Sequence, residues 1–112
     1  MKVVDLKTFL AMPEGTIFAK GQPWYFCELS IKGESVGEND CWSLDPCWVA
    51  ADDSEDAITR LRAMLEDGAS FPMQDAWTRF GGLDAQDVFL IFEPDDLERL
   101  RTFIVGAINL AK

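Results

Sequence analysis

A run of five apolar residues from Val88 to Phe92 constrains the fold of this chain more than any other feature. Its sequence, Val-Phe-Leu-Ile-Phe, is short for a helix and rich in the β-branched and aromatic residues that favour strands. Neighbouring side chains of a strand point to opposite faces, so a strand that is apolar at every position has to be covered on both sides. We therefore expect Val88 to Phe92 to lie near the centre of a sheet.

Four further strands are predicted in the first half of the chain, where runs of β-branched and aromatic residues are separated by turn residues. They are Thr16 to Lys20, Trp24 to Lys32, Cys41 to Leu44 and Cys47 to Ala50, with a hairpin turn at Gly21 to Pro23 and a break at Asp45-Pro46. In the second strand, side chains alternate between two faces. Tyr25, Cys27, Leu29 and Ile31 are expected to share one face. Glu28, Ser30 and Lys32 are expected to lie on the other face, toward solvent.

Two helices are predicted from apolar residues at helical spacing before residue 69. The first begins with Asp5 as its N-cap and ends near Met12. The second begins at Asp53 or Ser54 and ends at Gly68, because glycine readily adopts the left-handed conformation that terminates helices. Its apolar stripe consists of Ala57, Ile58, Leu61, Met64 and Leu65.

The last third of the chain predicts an edge strand and a final helix. Ala69 to Phe80 is expected to form a strand plus an irregular loop, and Pro72 limits that strand to a sheet edge. After Pro94, a helix capped by Asp95 is predicted. Its apolar arc widens after Thr102, which indicates either deeper burial in the monomer or a second partner surface.

These elements follow one another in the order α-β-β-β-β-α-β-β-α, which is typical of an α+β domain. We expect a single domain over residues 1–112, with a curved, mainly antiparallel sheet of about five to six strands. Two to three helices are expected to pack mainly on one face of that sheet.

The charge of the chain excludes some classes of partner. Twenty acidic residues against ten basic ones give a formal net charge of −10, which opposes direct binding to nucleic acid or to anionic membranes. It favours solubility, cation binding or encounter with a basic protein. The longest apolar run, Phe103 to Ala111, is too short to span a bilayer. Three cysteines and no secretory signal predict reduced thiols in the cytoplasm.

Enzymatic chemistry has few candidates in this sequence. The chain contains no histidine, which removes the Ser-His-Asp and Cys-His routes to catalysis and most zinc sites. Cys41 and Cys47 are separated by five residues, unlike the usual metal-binding pairs, and the Asp52 to Asp56 run lacks the ligand spacing of a calcium loop. We therefore predict a protein that is not an enzyme and that uses no cofactor or metal.

The stretch from Gly33 to Asp56 is the strongest candidate for a functional surface. It contains eight acidic residues, two Cys-Trp dipeptides and no lysine or arginine. Aromatic anchors surrounded by charge are typical of protein-binding hot spots. The predicted partner-binding residues are Glu34, Glu38, Asp40, Trp42, Asp45, Trp48, Asp52, Asp53, Glu55 and Asp56. The ordinary role of the acids near residue 53 would be to cap a helix and complement its dipole.

Three segments are familiar in combination: Pro-Glu-Gly-Thr-Ile-Phe-Ala-Lys at Pro13 to Lys20, Ile-Lys-Gly-Glu at Ile31 to Glu34, and Phe-Leu-Ile-Phe-Glu-Pro-Asp-Asp at Phe89 to Asp96. Together they resemble small, acidic, uncharacterised proteins encoded by bacteriophages and prophages. The resemblance implies a phage origin and brings no assigned activity or site residues. With a phage origin, an anti-CRISPR or another anti-defence protein is one expectation.

The sequence leaves three functional hypotheses open. The first is a non-enzymatic acidic interaction protein, monomeric or homodimeric, that inhibits or modulates a host nucleic-acid-binding protein in the host cytoplasm. It would bind the basic surface of that protein as a DNA mimic does. The second is a small enzyme or ligand-binding domain with an acidic and aromatic pocket. The third is a phage structural or accessory protein that self-associates.

Overall fold

One antiparallel sheet of six strands runs through the computed structural model, in the order β1-β6-β2-β3-β4-β5. The structure describes residues 1–22 and 24–111, without the side chain of Cys27, so the predicted turn residue Pro23 and the predicted face of Cys27 lie outside the described part. The elements are β1 Lys2–Asp5, α1 Leu6–Leu10, β2 Ile17–Gln22, β3 Tyr25–Val36, β4 Asp40–Val49, α2 Ser54–Asp67, β5 Met73–Arg79, β6 Val88–Ile91 and α3 Pro94–Leu110.

Strand β6 is the predicted apolar strand, and it lies between β1 and β2 in the sheet. Phe89 and Ile91 are buried, and their neighbours Val88 and Leu90 are half-buried on the opposite face. The prediction of a strand covered on both sides is confirmed, but β6 is next to the edge strand β1 rather than near the centre of the sheet. Strand β1 was not predicted, because its four residues become a strand only by pairing with β6.

The buried core lies between α1 and one face of the sheet. The ring of Phe9 on α1 stacks on Phe89, with centroids 4.0 Å apart and the planes nearly parallel, and it also meets Phe18 at 4.6 Å. Cys41, Leu83 and Ile91 complete this cluster. The predicted cap of α1 is confirmed, since the carboxylate of Asp5 accepts a hydrogen bond of 2.9 Å from the backbone N–H of Thr8.

The expectation that Lys32 faces solvent is wrong. Helix α1 covers its face of the sheet, and Lys32 is only 2% exposed. Its ammonium group donates to the carbonyl of Gly33 at 3.1 Å and to the hydroxyl of Ser35 at 2.8 Å. It also lies 5.7 Å from the centroid of the Phe9 ring. Aromatic and hydrogen-bonding partners thus replace the water that a lysine normally keeps.

Strand β4 corrects the prediction of two separate strands. Asp45-Pro46 does not end it, because the extra residue is accommodated as a bulge between Asp45 and Trp48. Similar register shifts occur in β2 and in β3. Such bulges bend strands and increase their twist, which accounts for the predicted curvature of the sheet.

The ends of the longer helices follow local signals. The carboxylate of Asp53 caps α2 by accepting from the backbone N–H of Asp56 at 2.7 Å, and Gly68 ends the helix with a φ of 68°. Helix α3 begins with Pro94, a residue suited to the first helical position, and is capped by Glu93. The predicted cap at Asp95 is therefore wrong.

Helix α1 and helix α3 lie on opposite faces of the sheet. Helix α1 packs over Phe18, whereas α3 begins over Ile17, Leu29 and Ile31. Because Ile17 and Phe18 are consecutive in β2, their side chains lie on opposite faces. The predicted class, an α+β fold with a curved antiparallel sheet, is confirmed.

Both predicted apolar stripes are more exposed than expected. In α2 only Ala57 is buried, and Leu65 is 85% exposed. In α3 every residue from Arg101 to Leu110 is exposed. Burial of the wide arc within the monomer is therefore excluded for α3.

Candidate functional site

The predicted acidic stretch is divided by the length of one strand. Gly33 to Asp56 covers the end of β3, the hairpin turn, all of β4 and the first turn of α2. Strand β4 has ten residues, which at about 3.3 Å per residue span about 30 Å. Glu34 and Glu38, which we call the hairpin acids, therefore lie far from the α2 acids, namely Asp52, Asp53, Glu55 and Asp56.

Asp40 has a structural role at the hairpin end. It is 4% exposed, and one of its carboxylate oxygens accepts from Nη2 and Nε of Arg79 at 2.7 and 3.0 Å. The other oxygen accepts from the backbone N–H groups of Cys41 and Gly81. The hydrogen bonds from Arg79 are the main cause that holds the pKa of Asp40 below its ordinary value. Its carboxylate is occupied, so we leave Asp40 out of the proposed contact surface.

The α2 acids combine capping with exposure. Besides capping by Asp53, the carboxylate of Asp56 accepts from the backbone N–H of Asp52 at 3.0 Å and pairs with Arg60 at 3.2 Å. Arg60 also donates to the carbonyl of Ala50. Asp52, Asp53 and Glu55 are nevertheless exposed. The capping interpretation and an exposed acidic patch are therefore compatible at this helix end.

The bulge in β4 determines which tryptophan joins the acids. Asp45 pairs with Ala76 and Trp48 pairs with Gln74. Ala76 and Gln74 are two residues apart, so they share a face of β5, and their partners Asp45 and Trp48 also share it. Trp42 is on the other face, beside Gly33 and Trp77. The structure therefore brings together Trp48 and Asp45 and separates both from Trp42.

A broad hollow of about 440 Å³ lies on this face, at the junction of β4, β5 and the start of α2. We call it the Trp48 hollow. Its described lining residues are Asp45, Trp48, Ala51, Asp53, Ser54, Gln74, Asp75, Ala76 and Thr78. Asp45 and Asp53 bring carboxylates to the hollow, whereas the side chain of Asp75, between Gln74 and Ala76, points to the opposite face of β5. None of the described lining residues is a lysine or arginine. The side chain of Trp48 is 41% exposed, which leaves part of the indole available for contact.

Sequence reasoning missed the contribution of β5 to this hollow. Gln74, Asp75 and Thr78 come from the segment predicted as an edge strand plus a loop. The only signal available was the rule that adjacent antiparallel strands place opposite residues side by side. That rule needs the register, and the bulge at Pro46 shifts it by one residue.

The chemistry of the Trp48 hollow suits a cation. Carboxylates accept charge-assisted hydrogen bonds from guanidinium and ammonium groups, and an indole face attracts cations. Asp45 and Asp53 already accept backbone hydrogen bonds, from Cys47 at 2.9 Å and from Asp56. Each carboxylate has further acceptor positions, since two oxygens provide about four lone-pair sites.

A larger hollow, of about 630 Å³, has less distinctive chemistry. It lies between α1 and the hairpin turn and is lined by Asp5, Leu6, Lys7, Leu10, Ala11, Gly37, Glu38 and Ala85. It holds charges of both signs and no aromatic ring, and the carboxylate of Asp5 already caps α1. We therefore place the candidate site at the Trp48 hollow.

The buried thiol of Cys41 is not an activated nucleophile. Cys41 and Cys47 are both free. Burial is the main cause that raises the pKa of Cys41 above its ordinary value, and a raised pKa leaves little reactive thiolate at neutral pH. Within residues 1–22 and 24–111, no group of three or more cysteine, aspartate or glutamate side chains is arranged to hold a metal ion.

Comparison of the chain with models of protein families, with curated proteins and with solved structures found no match. None of the described helices is both long and apolar enough to cross a membrane.

Proposed function

We propose that this protein is a non-enzymatic interaction protein that binds a basic segment of a partner protein at the Trp48 hollow. The observation that carries the proposal is the lining of the hollow, where Asp45 and Asp53 lie with Trp48 and no lysine or arginine is among the described lining residues. An arginine or lysine side chain of the partner would lie on the indole and donate to these carboxylates.

The charge of the whole chain supports the same kind of partner. A net charge of −10 attracts basic surfaces over distances comparable to the screening length and accelerates encounter. The exposed α2 acids Asp52 and Glu55 extend the negative surface beside the hollow. Attraction of this kind weakens as the salt concentration rises.

Nucleic-acid-binding proteins present the most concentrated basic surfaces, because their phosphate-binding grooves are lined with lysine and arginine. The resemblance to phage proteins favours a host defence or replication protein as the target. In that setting, the protein would act in the host cytoplasm by competing with nucleic acid for the basic groove. An anti-CRISPR protein acting as a DNA mimic is one form of this proposal.

A small cationic ligand is the second candidate occupant. The volume of the Trp48 hollow, about 440 Å³, lies within the range of small-molecule sites. The hollow is open rather than enclosed, and it continues into the exposed acids Asp52 and Glu55 at the start of α2. These features favour a side chain presented by a protein over an enclosed ligand.

Affinity capture from a bacterial lysate tests the proposal. One variant is Trp48→Ala, and a second combines Asp45→Asn, Asp52→Asn and Glu55→Gln, which removes three charges in and beside the hollow without removing the cap Asp53. The matched controls are Trp24→Ala, at another exposed tryptophan, and the triple change Glu34→Gln, Glu38→Gln and Glu66→Gln, which removes three charges elsewhere.

The wild type and both controls are expected to recover the same basic protein, and both hollow variants are expected to lose it. Raising the salt concentration is expected to elute the captured partner, and added nucleic acid is expected to compete with this protein for the partner. Recovery of the partner by the hollow variants would overturn the proposal. Equal loss with the charge control would show that net charge alone, and not the Trp48 hollow, determines binding.

A further inference from the structure

The second half of α3 extends from the sheet as an apolar helix with no described partner. Leu97 and Leu100 are half-buried, whereas every residue from Arg101 to Leu110 is exposed. Five large apolar side chains in this half are between 46% and 89% exposed: Phe103, Ile104, Val105, Ile108 and Leu110. Surface helices of soluble proteins normally direct such a face toward a core.

An apolar groove lies directly beside this helix half. It has a volume of about 400 Å³ and separates α3 from the strands beneath it. Its described lining residues are Ile17, Leu29, Ile31, Pro46, Leu97, Leu100, Arg101, Ile104 and Val105. Arg101 is the one charged residue among them, and its guanidinium lies 3.6 Å from the carboxylate of Glu98.

We propose that a second copy of this chain covers the groove and the exposed half of α3. Ile104 and Val105 belong both to the groove and to the exposed helix half. A two-fold axis close to these two residues would therefore place the α3 helices antiparallel, with the exposed half of each over the groove of the other. Such an interface is self-complementary, as a two-fold interface has to be.

Charge favours a second copy over other occupants. The sequence from Arg99 to Ala111 contains no acidic residue, although the chain carries a net charge of −10. Two acidic chains can therefore approach along α3 without bringing carboxylates together. A basic partner would meet Arg99 and Arg101 here, with Glu98 already paired to Arg101, and an anionic membrane would be repelled by the chain as a whole.

The available apolar area is that of a small interface. Phe103 presents about 120 Å², taking about 200 Å² for a fully exposed aromatic side chain. The four aliphatic side chains together present about 250 Å², taking about 100 Å² for each when fully exposed. The groove adds further apolar surface, so the helix and the groove together provide the apolar core of an interface at the lower end of the usual size range.

Sedimentation equilibrium over a dilution series tests the proposal. The wild type is expected to have twice the 12.6 kDa mass of one chain.

The variant Ile108→Glu is expected to raise the dimer dissociation constant by about two orders of magnitude, because a carboxylate would be buried without a partner. The matched control Leu65→Glu places the same group on the exposed stripe of α2 and is expected to leave the dimer intact. Ile104→Glu provides a second interface variant, and circular dichroism verifies that all variants are folded.

A monomeric wild type at every concentration would overturn the proposal and would leave another protein or a ligand as the occupant. Dissociation by Leu65→Glu but not by Ile108→Glu would move the interface to α2 and would also overturn it. Salt separates this interface from the proposed function. Screening of like charges is expected to strengthen the dimer, whereas binding of a basic partner at the Trp48 hollow is expected to weaken.

Discussion

Arg79 at the end of β5 places two nitrogens on a single carboxylate oxygen of Asp40 at the start of β4, at 2.7 and 3.0 Å. The other oxygen of Asp40 accepts from the backbone N–H groups of Cys41 and Gly81. The buried carboxylate of Asp40 therefore joins the edge strand β5, the neighbouring strand β4 and the loop that follows β5. This arrangement explains why an acid in the middle of the predicted acidic surface stabilises the fold.

Asp40 is expected to contribute to the acid sensitivity of the fold. Its pKa is lowered in the folded state, chiefly by hydrogen bonds from Arg79. A group with a lowered folded pKa stabilises the protein above its unfolded pKa, and that contribution is lost as pH falls through the folded value. Asp40→Asn is therefore expected to be less stable than wild type at neutral pH, with a difference in unfolding free energy that narrows in acid.

Urea unfolding at a series of pH values measures this difference. Glu66→Gln, at an exposed position, is the control, and a difference between Asp40→Asn and wild type that is constant with pH would contradict the account.

Phe9 is expected to be the most costly aromatic residue to truncate. It is fully buried and stacks on Phe89 while meeting Phe18. Phe9→Ala is expected to lower the free energy of unfolding by about 3–5 kcal/mol, through lost burial and the cavity left behind. Leu65→Ala, at a highly exposed site, is expected to change it by less than about 0.5 kcal/mol. Denaturant unfolding compares the two, and similar costs would show that α1 does not cover the core as described.

Gly33 is expected to tolerate no side chain. A Cβ atom at this position would lie 2.7 Å from a ring carbon of Trp77 and 2.9 Å from the Cβ of Trp42. Gly33→Ala is therefore expected to destabilise the protein by about 1–3 kcal/mol, as overpacking does. Gly106→Ala is the control, because a Cβ there meets no atom within 4 Å and α3 should gain about 0.5–1 kcal/mol. Thermal unfolding is expected to show a lower melting temperature for Gly33→Ala and a higher one for Gly106→Ala. An unchanged stability of Gly33→Ala would contradict the packing of Trp77 over β3.

Ser35 is expected to matter more than an ordinary half-buried serine. Its hydroxyl accepts from the buried ammonium group of Lys32 at 2.8 Å and donates to the carbonyl of Leu10 at 2.7 Å. Ser35→Ala leaves both groups without this partner and is expected to cost about 1–3 kcal/mol. Ser70→Ala, at an exposed serine, serves as the control in the same unfolding measurement. Equal, small effects would indicate that water reaches Lys32.

The parts of the fold that could be predicted are determined by residues close together in the sequence. The stop of α2 at Gly68 and its cap at Asp53 depend on a few neighbouring residues. The strand Val88 to Phe92 was recognisable because apolar residues at every position require two covered faces. Strand β1 had no such signal, since its strand character comes from pairing with β6.

The candidate site was only half predictable, because it depends on register. Trp48 and Asp45 are three residues apart, which would place them on opposite faces of a regular strand. The bulge at Pro46 brings them to the same face, and β5 then adds Gln74 and Thr78. The burial of Lys32 has a similar origin, since only the position of α1 over β3 determines it. Long-range packing, rather than local propensity, decides these features.

Trp48 and the carboxylates beside it are the proposed binding site for a cationic side chain. Titration of ¹⁵N-labelled protein with a short oligoarginine peptide tests it through the indole N–H resonances of the four tryptophans, assigned by single substitutions. The Trp48 resonance is expected to shift at low salt and to return toward its free position as salt is added, while those of Trp24 and Trp77 change little. An uncharged glycine-serine peptide is expected to have no effect. An unmoved Trp48 resonance, or equal shifts at all four indoles, would contradict the account.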